Sequence, residues 1–154
     1  MQYFPNKEYD TIIDHYALLY NVSPDIVRAI CYVESRFDPS AVSSRGAIGL
    51  MQILPETGRW IVSLLDIEEY SDQQLFLPDI NIRIGCYYIS YLYSRFDEEW
   101  CVFAAYNAGE GRVSEWIERD INEDSIPFPE TKRYVRKVSR VSHIYGNKKI
   151  LSFY

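Results

Sequence analysis

The sequence has few residues of the kinds that bind metals or form disulfides. Its 154 residues include only two histidines and three cysteines, and no two cysteines have CxxC spacing. His15 and His143 lie far apart, and neither has a partner at a spacing typical of metal ligands. We therefore predict no metal, no cofactor and no histidine-dependent catalytic triad. Cys31, Cys86 and Cys101 each lie in an apolar helical stretch, so we expect core packing rather than redox or metal chemistry.

Long apolar segments are also missing. No run approaches the roughly 18 apolar residues that a membrane-spanning helix requires. The first ten residues, MQYFPNKEYD, lack the basic start and apolar centre of a signal peptide. We expect either a cytoplasmic protein or one whose export signal or anchor is missing from these 154 residues.

Acidic residues are absent from the end of the chain. The net charge is −6, yet after Glu130 there are seven lysines and arginines and no acid, so the remainder carries −13. This basic end either binds an anionic partner or forms a cationic helix that lies against an acidic body. A mostly acidic chain with no basic stripe through its middle argues against nucleic-acid binding.

The length and composition are typical of one globular domain, which we predict to span residues 1–154. Helical periodicity predominates along the chain. The predicted helices cover residues 9–20, 24–37, 55–65, 78–96, 100–108, 111–119 and 129–145. Between them, residues 38–49 are predicted to form an ordered loop, with a short extended stretch within 46–53. The predicted fold class is mainly α, with a buried central helix and at most a very small β element.

Glu34 is a carboxylic acid in apolar surroundings. The second predicted helix is apolar almost all round, so it should be the buried central one. Glu34 follows Val27 and Ile30 on one of its apolar stripes and lies in its last turn, where the helix dipole disfavours an anion. Burial and the dipole both raise the pKa of a carboxyl group, which suits a proton donor at neutral pH.

A structural role for Glu34 is the alternative. The carboxylate could bind the backbone of the following loop, or pair with Arg28 or Arg36. Arg36 is an awkward partner, because it projects from a different side of the helix. Helix geometry alone does not separate the catalytic and structural interpretations.

Four segments of the chain carry a family resemblance. They read ESRFDPSAVSSRGAIGLMQILPETG from Glu34, NIRIG over residues 81–85, AAYNAGEGRV from Ala104, and IPFPETKRYVRKV from Ile126. In this order and spacing they resemble the catalytic domain of the soluble lytic transglycosylases, relatives of goose-type lysozyme. The resemblance extends from about Tyr9 to Tyr145. It implies a lysozyme-like, mainly helical fold with a groove that binds peptidoglycan strands.

The resemblance also implies a reaction. Such enzymes cleave the β-1,4 bond between N-acetylmuramic acid and N-acetylglucosamine without water, leaving 1,6-anhydromuramoyl ends. Glu34 matches the single catalytic residue, which acts first as the acid and then as the base. The implied site is extracytoplasmic, the implied partner is the glycan strand, and the protein is expected to be a monomer. The basic C-terminal helix is a candidate for association with the cell envelope or a membrane surface.

The same resemblance assigns substrate-binding roles to further residues. Ser35 would orient Glu34 by hydrogen bonding, Gly49 would let the backbone approach a sugar, and the amide of Gln52 would bind N-acetyl groups and hydroxyls. The complete set of expected substrate-binding residues is Ser35, Gly49, Gln52, Tyr106, Asn107, Glu130 and Tyr134. For Tyr106 the alternative is a buried tyrosine at a helix end, and for Asn107 a helix cap before Gly109.

Several neighbouring residues are open to two interpretations. Met51 and Leu54 belong either to the groove floor or to the core. Arg112 and Trp116 are expected on the surface and in the core, respectively, rather than in the site. Leu77 stands where many members of the family have an Asp or Asn, so the helix after it should lack a side-chain N-cap.

Two alternative functions remain. The first is a goose-type muramidase that uses water, for which Asp38 and Glu56 are the acids in the loop region able to position that water. The second is a non-catalytic glycan-binding module that has kept the fold. The presence of Glu34 with its expected neighbours favours an enzyme over the binding module.

Overall fold

The structure, a computed structural model, describes residues 7–151, and side chains within that range up to residue 147. These residues form seven α-helices: α1 (Asp10–Leu19), α2 (Pro24–Ser35), α3 (Pro55–Leu64), α4 (Pro78–Arg95), α5 (Glu99–Ala108), α6 (Glu110–Glu118) and α7 (Pro129–Leu151). Two 3-10 turns, Asp72–Phe76 and Glu123–Ser125, lie in the connections. The β structure within 7–151 is limited to isolated bridges that pair Ile48 with Val42 and with Ile53. The predicted mainly α fold class is confirmed.

The helix boundaries differ from the prediction mainly at two C-terminal ends. Helix α2 ends at Ser35 rather than residue 37, because Arg36 and Phe37 adopt left-handed backbone angles, with φ of 54° and 62°. These two residues turn the chain sharply into the following loop. Helix α7 continues past residue 145 to Leu151. Gly146 does not stop it, since a single glycine inside a helix costs only about 1 kcal/mol relative to alanine.

Helix α2 is the central element of the core. Val27, Ala29, Ile30 and Cys31 are almost completely buried along it. It packs most extensively against α7 and also contacts α1, while α5 packs between α7 and α6. The predicted buried central helix is therefore confirmed, and the catalytic candidate Glu34 lies near its C-terminal end.

The burial of the three cysteines and the missing side-chain cap at the start of α4 both agree with the predictions. Cys31, Cys86 and Cys101 are all buried free thiols, as expected for core residues. Leu77 precedes α4 and makes no capping hydrogen bond with its side chain. None of the helices within residues 7–151 combines the length and apolarity that crossing a bilayer requires.

Candidate active site

Hydrogen bonds from Ser35 connect the loop after α2 to the end of that helix. The Ser35 hydroxyl donates to the carbonyl oxygen of Leu50 at 2.7 Å and to that of Cys31 at 3.1 Å. The hydroxyl proton is thus directed at backbone carbonyls of the helix and the loop, which holds the backbone around Glu34 in place. The role of Ser35 in orienting Glu34 directly stays a prediction.

Asn81 ties the same loop to α4. Its side-chain nitrogen donates to the carbonyl oxygens of Ile48 and Leu75, and its oxygen accepts from the backbone N–H of Met51, each at 2.8 Å. The residue is only 1% exposed. Sequence reasoning missed this role, although an uncharged polar residue at the start of the NIRIG segment, next to isoleucines on both sides, was a usable signal. Asn81 therefore determines where the loop lies.

Gly49 is buried directly against this network. Its φ is +78°, and a Cβ there would lie 2.5 Å from the carbonyl oxygen of Leu75 and closer still to the Asn81 amide nitrogen. A left-handed backbone and this contact both favour glycine. The requirement comes from packing inside the protein, and the predicted contact of Gly49 with a sugar stays a prediction.

Among the side chains that the structure describes, no arginine forms an ion pair with Glu34. Arg28 binds Asp10 at 2.8 Å and Asp14 at 2.7 Å, joining α2 to α1. Arg36 donates instead to the Tyr32 hydroxyl at 3.1 Å. The structural interpretation in which an arginine neutralises Glu34 is therefore wrong.

The surroundings of Glu34 favour its neutral form. Burial raises the pKa of Glu34 from 4.5 to about 7, opposed in part by the Tyr134 hydroxyl. That hydroxyl is buried close to the carboxyl, but the two groups fall short of full hydrogen-bond geometry. Burial first and Glu34 second raise the pKa of both Tyr106 and Tyr134. The site thus brings together a half-buried carboxyl and two tyrosines from α5 and α7.

A groove runs beside this group. Its central cavity, of about 360 Å³, is lined by side chains that include Gln52, Leu54, Tyr106 and Asn107. A second cavity, of about 330 Å³, is lined by Phe128, Glu130 and Thr131. A third, of about 370 Å³, is lined by Trp60, Tyr88, Tyr91 and Glu110. The central cavity shares lining residues with each of the others, so the three cavities are neighbours, and together they are here called the groove.

The predicted site residues separate into two groups. Four line the groove: Gln52, Tyr106, Asn107 and Glu130. The other four, Glu34, Ser35, Gly49 and Tyr134, are not among the residues that line these three cavities. Tyr106 connects the groups, because it lines the central cavity and is within electrostatic reach of Glu34.

Hydrogen bonds limit what two groove residues can offer a substrate. The Gln52 amide nitrogen donates to the carbonyl oxygens of Ala41 and Gly49, at 3.1 and 3.0 Å. Both amide hydrogens are thus used internally, and Gln52 presents an acceptor oxygen rather than the expected donor and acceptor. The Tyr106 hydroxyl donates to the carbonyl oxygen of Met51 at 2.8 Å, which joins α5 to the loop.

The open alternatives for four residues are now decided. Asn107 does not cap α5: it lies within the helix, and its oxygen accepts from the Thr131 hydroxyl at 2.8 Å. Met51 is fully buried in the core, whereas Leu54 is 41% exposed and lines the groove. Trp116 is buried as expected.

The groove also contains residues that sequence reasoning left out. Arg112 was expected only on the surface, yet it lines both the central and the second cavity. Arg45 lines the same two cavities, and Trp60 and Tyr88 line the third. Arg112 and Arg45 both fall inside the recognised segments, so the segments themselves carried a signal that was not used. Within residues 7–147, no cluster of His, Cys, Asp and Glu side chains could hold a metal ion.

Comparison with known proteins supplies the family. A family profile described as the transglycosylase SLT domain matches residues 11–128. The chain belongs to this family. The chain is 35% identical over 156 aligned residues to the soluble lytic murein transglycosylase of Salmonella typhimurium, covering 93% of this chain and 24% of that protein.

Solved structures agree with this SLT domain in fold. Lytic transglycosylase Slt from Pseudomonas aeruginosa, in an inactive glutamate-to-glutamine mutant, matches 94% of this chain with a TM-score of 0.87 and 36% identity. The 70 kDa soluble lytic transglycosylase from Escherichia coli matches 87% of it with a TM-score of 0.81 and 36% identity. The SLT domain spans about a quarter of each of these chains, 25% and 23% respectively.

Proposed function

We propose that this SLT domain is a lytic transglycosylase that cleaves the β-1,4 bond between N-acetylmuramic acid and N-acetylglucosamine in peptidoglycan. The observation that carries the proposal is Glu34, a half-buried carboxyl without an arginine partner, whose pKa is raised to about 7. It lies within electrostatic reach of Tyr106, which lines the central cavity of the groove. The similar proteins named as lytic murein transglycosylases support the same substrate class.

In the proposed mechanism Glu34 first donates one proton and then accepts another. The neutral carboxyl first protonates the glycosidic oxygen as the bond to C1 of the muramoyl residue breaks. The resulting carboxylate then removes the proton from the C6 hydroxyl of that residue, and its oxygen closes on C1. The product is a 1,6-anhydromuramoyl end, and Glu34 is neutral again. The N-acetyl group of the substrate stabilises the positive charge at C1 in the interval.

The geometry favours this route over hydrolysis by a muramidase. An inverting hydrolase needs a second carboxylate about 6.5–9.5 Å from the first to activate water. Asp38 is exposed and binds the Ser40 hydroxyl and backbone, at 2.7 and 2.9 Å, which lowers its pKa. Glu56 lines the third cavity, at the end of the groove with Trp60. Asp38 is thus engaged by Ser40, and Glu56 belongs to a cavity that Glu34 does not line, which supports transglycosylation over hydrolysis.

Product analysis tests the proposal. Purified peptidoglycan digested with the protein should yield muropeptides that end in 1,6-anhydromuramic acid, which are 18 Da lighter than the hydrolytic products in mass spectrometry, the mass of one water. Reducing muramoyl ends would instead identify a muramidase. Binding without any released product would identify a glycan-binding module.

The pH dependence of the rate gives a second test. Because the neutral carboxyl of Glu34 donates the proton and its pKa is about 7, activity should fall above neutral pH. Well above pH 7 the decline should approach about tenfold per pH unit, as expected for one required proton. Initial rates on soluble glycan strands between pH 5 and pH 9 would check this. A flat profile across that range would contradict the raised pKa.

The proposed substrate implies action outside the cytoplasmic membrane, and the basic C-terminal helix is proposed to aid association with the envelope. Asp124 engages two of its side chains, Lys132 through the Asp124 carbonyl and Arg136 through the carboxylate at 3.2 Å. Arg133 and Arg140 are exposed. The side chains of the last two lysines, at 148 and 149, lie outside the described residues. Cosedimentation with anionic vesicles would test the association, which stays a prediction, as does the monomeric state.

A further inference from the structure

Two arginines lie at the middle of the groove without an acidic partner. Arg45, from the loop after α2, and Arg112, from α6, both line the central and the second cavity. Neither forms an ion pair with any residue in the described part of the chain. Residues 1–130 carry a strongly negative net charge. Two arginines without an acidic partner in the groove are therefore a local exception to the charge of this part of the chain.

The surroundings restrain the side chain of Arg112 and the backbone of Arg45. The Arg112 guanidinium lies 5.0 Å above the centre of the Phe128 ring, a cation–π contact that favours one direction for it. Arg45 is part of a tight turn in which the Ser43 hydroxyl accepts from the backbone N–H of Arg45 and of Ala47, at 3.3 and 3.1 Å. Both residues therefore start from defined positions along the same two cavities.

Asn107 adds a neutral donor to the same two cavities. It lines the same two cavities, and its oxygen is occupied by the hydroxyl of buried Thr131. With the oxygen so engaged, the amide nitrogen is left to donate. Two guanidinium groups and an amide N–H₂ are the donor set that binds carboxylates through charge-assisted hydrogen bonds.

We propose that Arg45 and Arg112 bind a carboxylate of the glycan strand and thereby make the groove selective for anionic over neutral polysaccharide. This inference rests on the proposed function and specifies its substrate. Peptidoglycan carries carboxylates in two places: on its stem peptides and, where the peptide has been removed, on the lactyl ether of the muramoyl residue. Glu130 lines the second cavity but is not ion-paired with either arginine, so the guanidinium groups stay available.

Binding measurements with a double variant test the proposal. Arg45→Gln and Arg112→Gln are introduced together into protein that also carries Glu34→Gln, so that bound strands are not cut. Affinity is measured for three probes: neutral chitohexaose, peptidoglycan strands with intact stem peptides, and strands stripped of peptides by an amidase. We expect the double variant to lose about tenfold or more in affinity for the carboxylate-bearing strands, and less than about twofold for chitohexaose.

The two strand probes identify which carboxylate is bound. A loss on stripped strands alone assigns the lactyl carboxylate, a loss on intact strands alone assigns the stem peptide, and a loss on both assigns both. Arg119→Gln is the matched control, since Arg119 follows α6, is exposed and lines none of the three groove cavities. It should bind all probes like the parent protein.

Two results would overturn the inference: unchanged affinity for both kinds of strand, or an equal loss for chitohexaose. Such a failure is distinguishable from failure of the proposed function. Protein with native Glu34 that releases anhydromuramoyl products keeps the proposed function even if the arginine variants bind normally. Absence of those products removes the proposed function, whatever the arginines bind.

Discussion

Replacing Glu34 by Gln should reduce the release of anhydromuramoyl products by about 10²–10⁴-fold, the usual contribution of a general acid–base group. The amide keeps the shape of the side chain but can neither supply the proton to the glycosidic oxygen nor remove one from the C6 hydroxyl. Binding of glycan strands should persist, because the groove-lining residues are unchanged. Initial rates by mass spectrometry of released products, together with a binding isotherm, would measure both effects.

Glu118→Gln provides the matched control for this variant. Glu118 is exposed at the end of α6 and lines none of the three groove cavities. The substitution makes the same chemical change without touching the site, and its activity should equal that of the parent. A Glu34→Gln protein that digests wall as fast as the parent would show that another group supplies the proton.

The Glu34→Gln substitution should also change how the stability of the protein depends on pH. In the folded protein the pKa of Glu34 is about 7, above its ordinary value of 4.5. The folded state therefore holds the Glu34 proton more tightly than the unfolded state does. The ionised carboxyl therefore destabilises the fold, by an amount that is absent below pH 4.5 and grows to its full value above pH 7. Glu34→Gln removes this cost, and we expect it to raise the free energy of unfolding at pH 8 by up to about 3 kcal/mol. Chemical denaturation at pH 4 should show little difference between the two proteins.

Asn81→Leu should produce the largest loss of stability in the loop region. Leucine has similar volume but removes the side-chain partner of two buried backbone groups, the N–H of Met51 and the carbonyl of Leu75. The Ile48 carbonyl keeps its bond from the backbone N–H of Ile53 at 3.0 Å. Each unsatisfied buried group costs about 1–3 kcal/mol, so we expect a total of about 2 kcal/mol or more. Thermal and urea unfolding would measure this loss.

A second consequence of Asn81→Leu concerns activity. Asn81 positions the loop that carries Gln52 and that binds the Tyr106 hydroxyl through the carbonyl of Met51. Activity should therefore fall even at temperatures where the variant stays folded. Asn147→Leu, at an exposed position on α7, is the control and should change neither stability nor activity appreciably. A fully stable Asn81→Leu protein would show that the loop is held by other contacts.

Much of the fold and one part of the site could be predicted from local sequence. Helix α2 was recognisable from its apolar residues alone, and Pro24, Pro55, Pro78 and Pro129 each mark a helix start that the structure reproduces. Glu34 was identifiable because a carboxyl on an apolar helical stripe is unusual. The family segments added Tyr106, Asn107 and Gln52, which the structure brings to one groove.

The direction of individual hydrogen bonds was not accessible from the sequence. Ser35 adjoins Glu34 along the chain, yet its hydroxyl binds Leu50, which packs against the helix end only after the loop has folded. The Gln52 amide hydrogens are likewise taken by backbone carbonyls of its own loop. Such choices depend on which acceptors lie within about 3 Å in three dimensions, and residue type does not specify that.

The sequence by itself determined the helices, the buried carboxyl and the family, because each depends on residues that are neighbours along the chain or on one helix face. Only the tertiary structure decided that Arg28 forms ion pairs with Asp10 and Asp14 and not with Glu34. It alone placed Arg45 beside Arg112, although 66 residues of chain separate the two positions. Partners so distant in sequence meet only when α2, α5, α6 and α7 pack around one core, since that packing sets the distances between side chains.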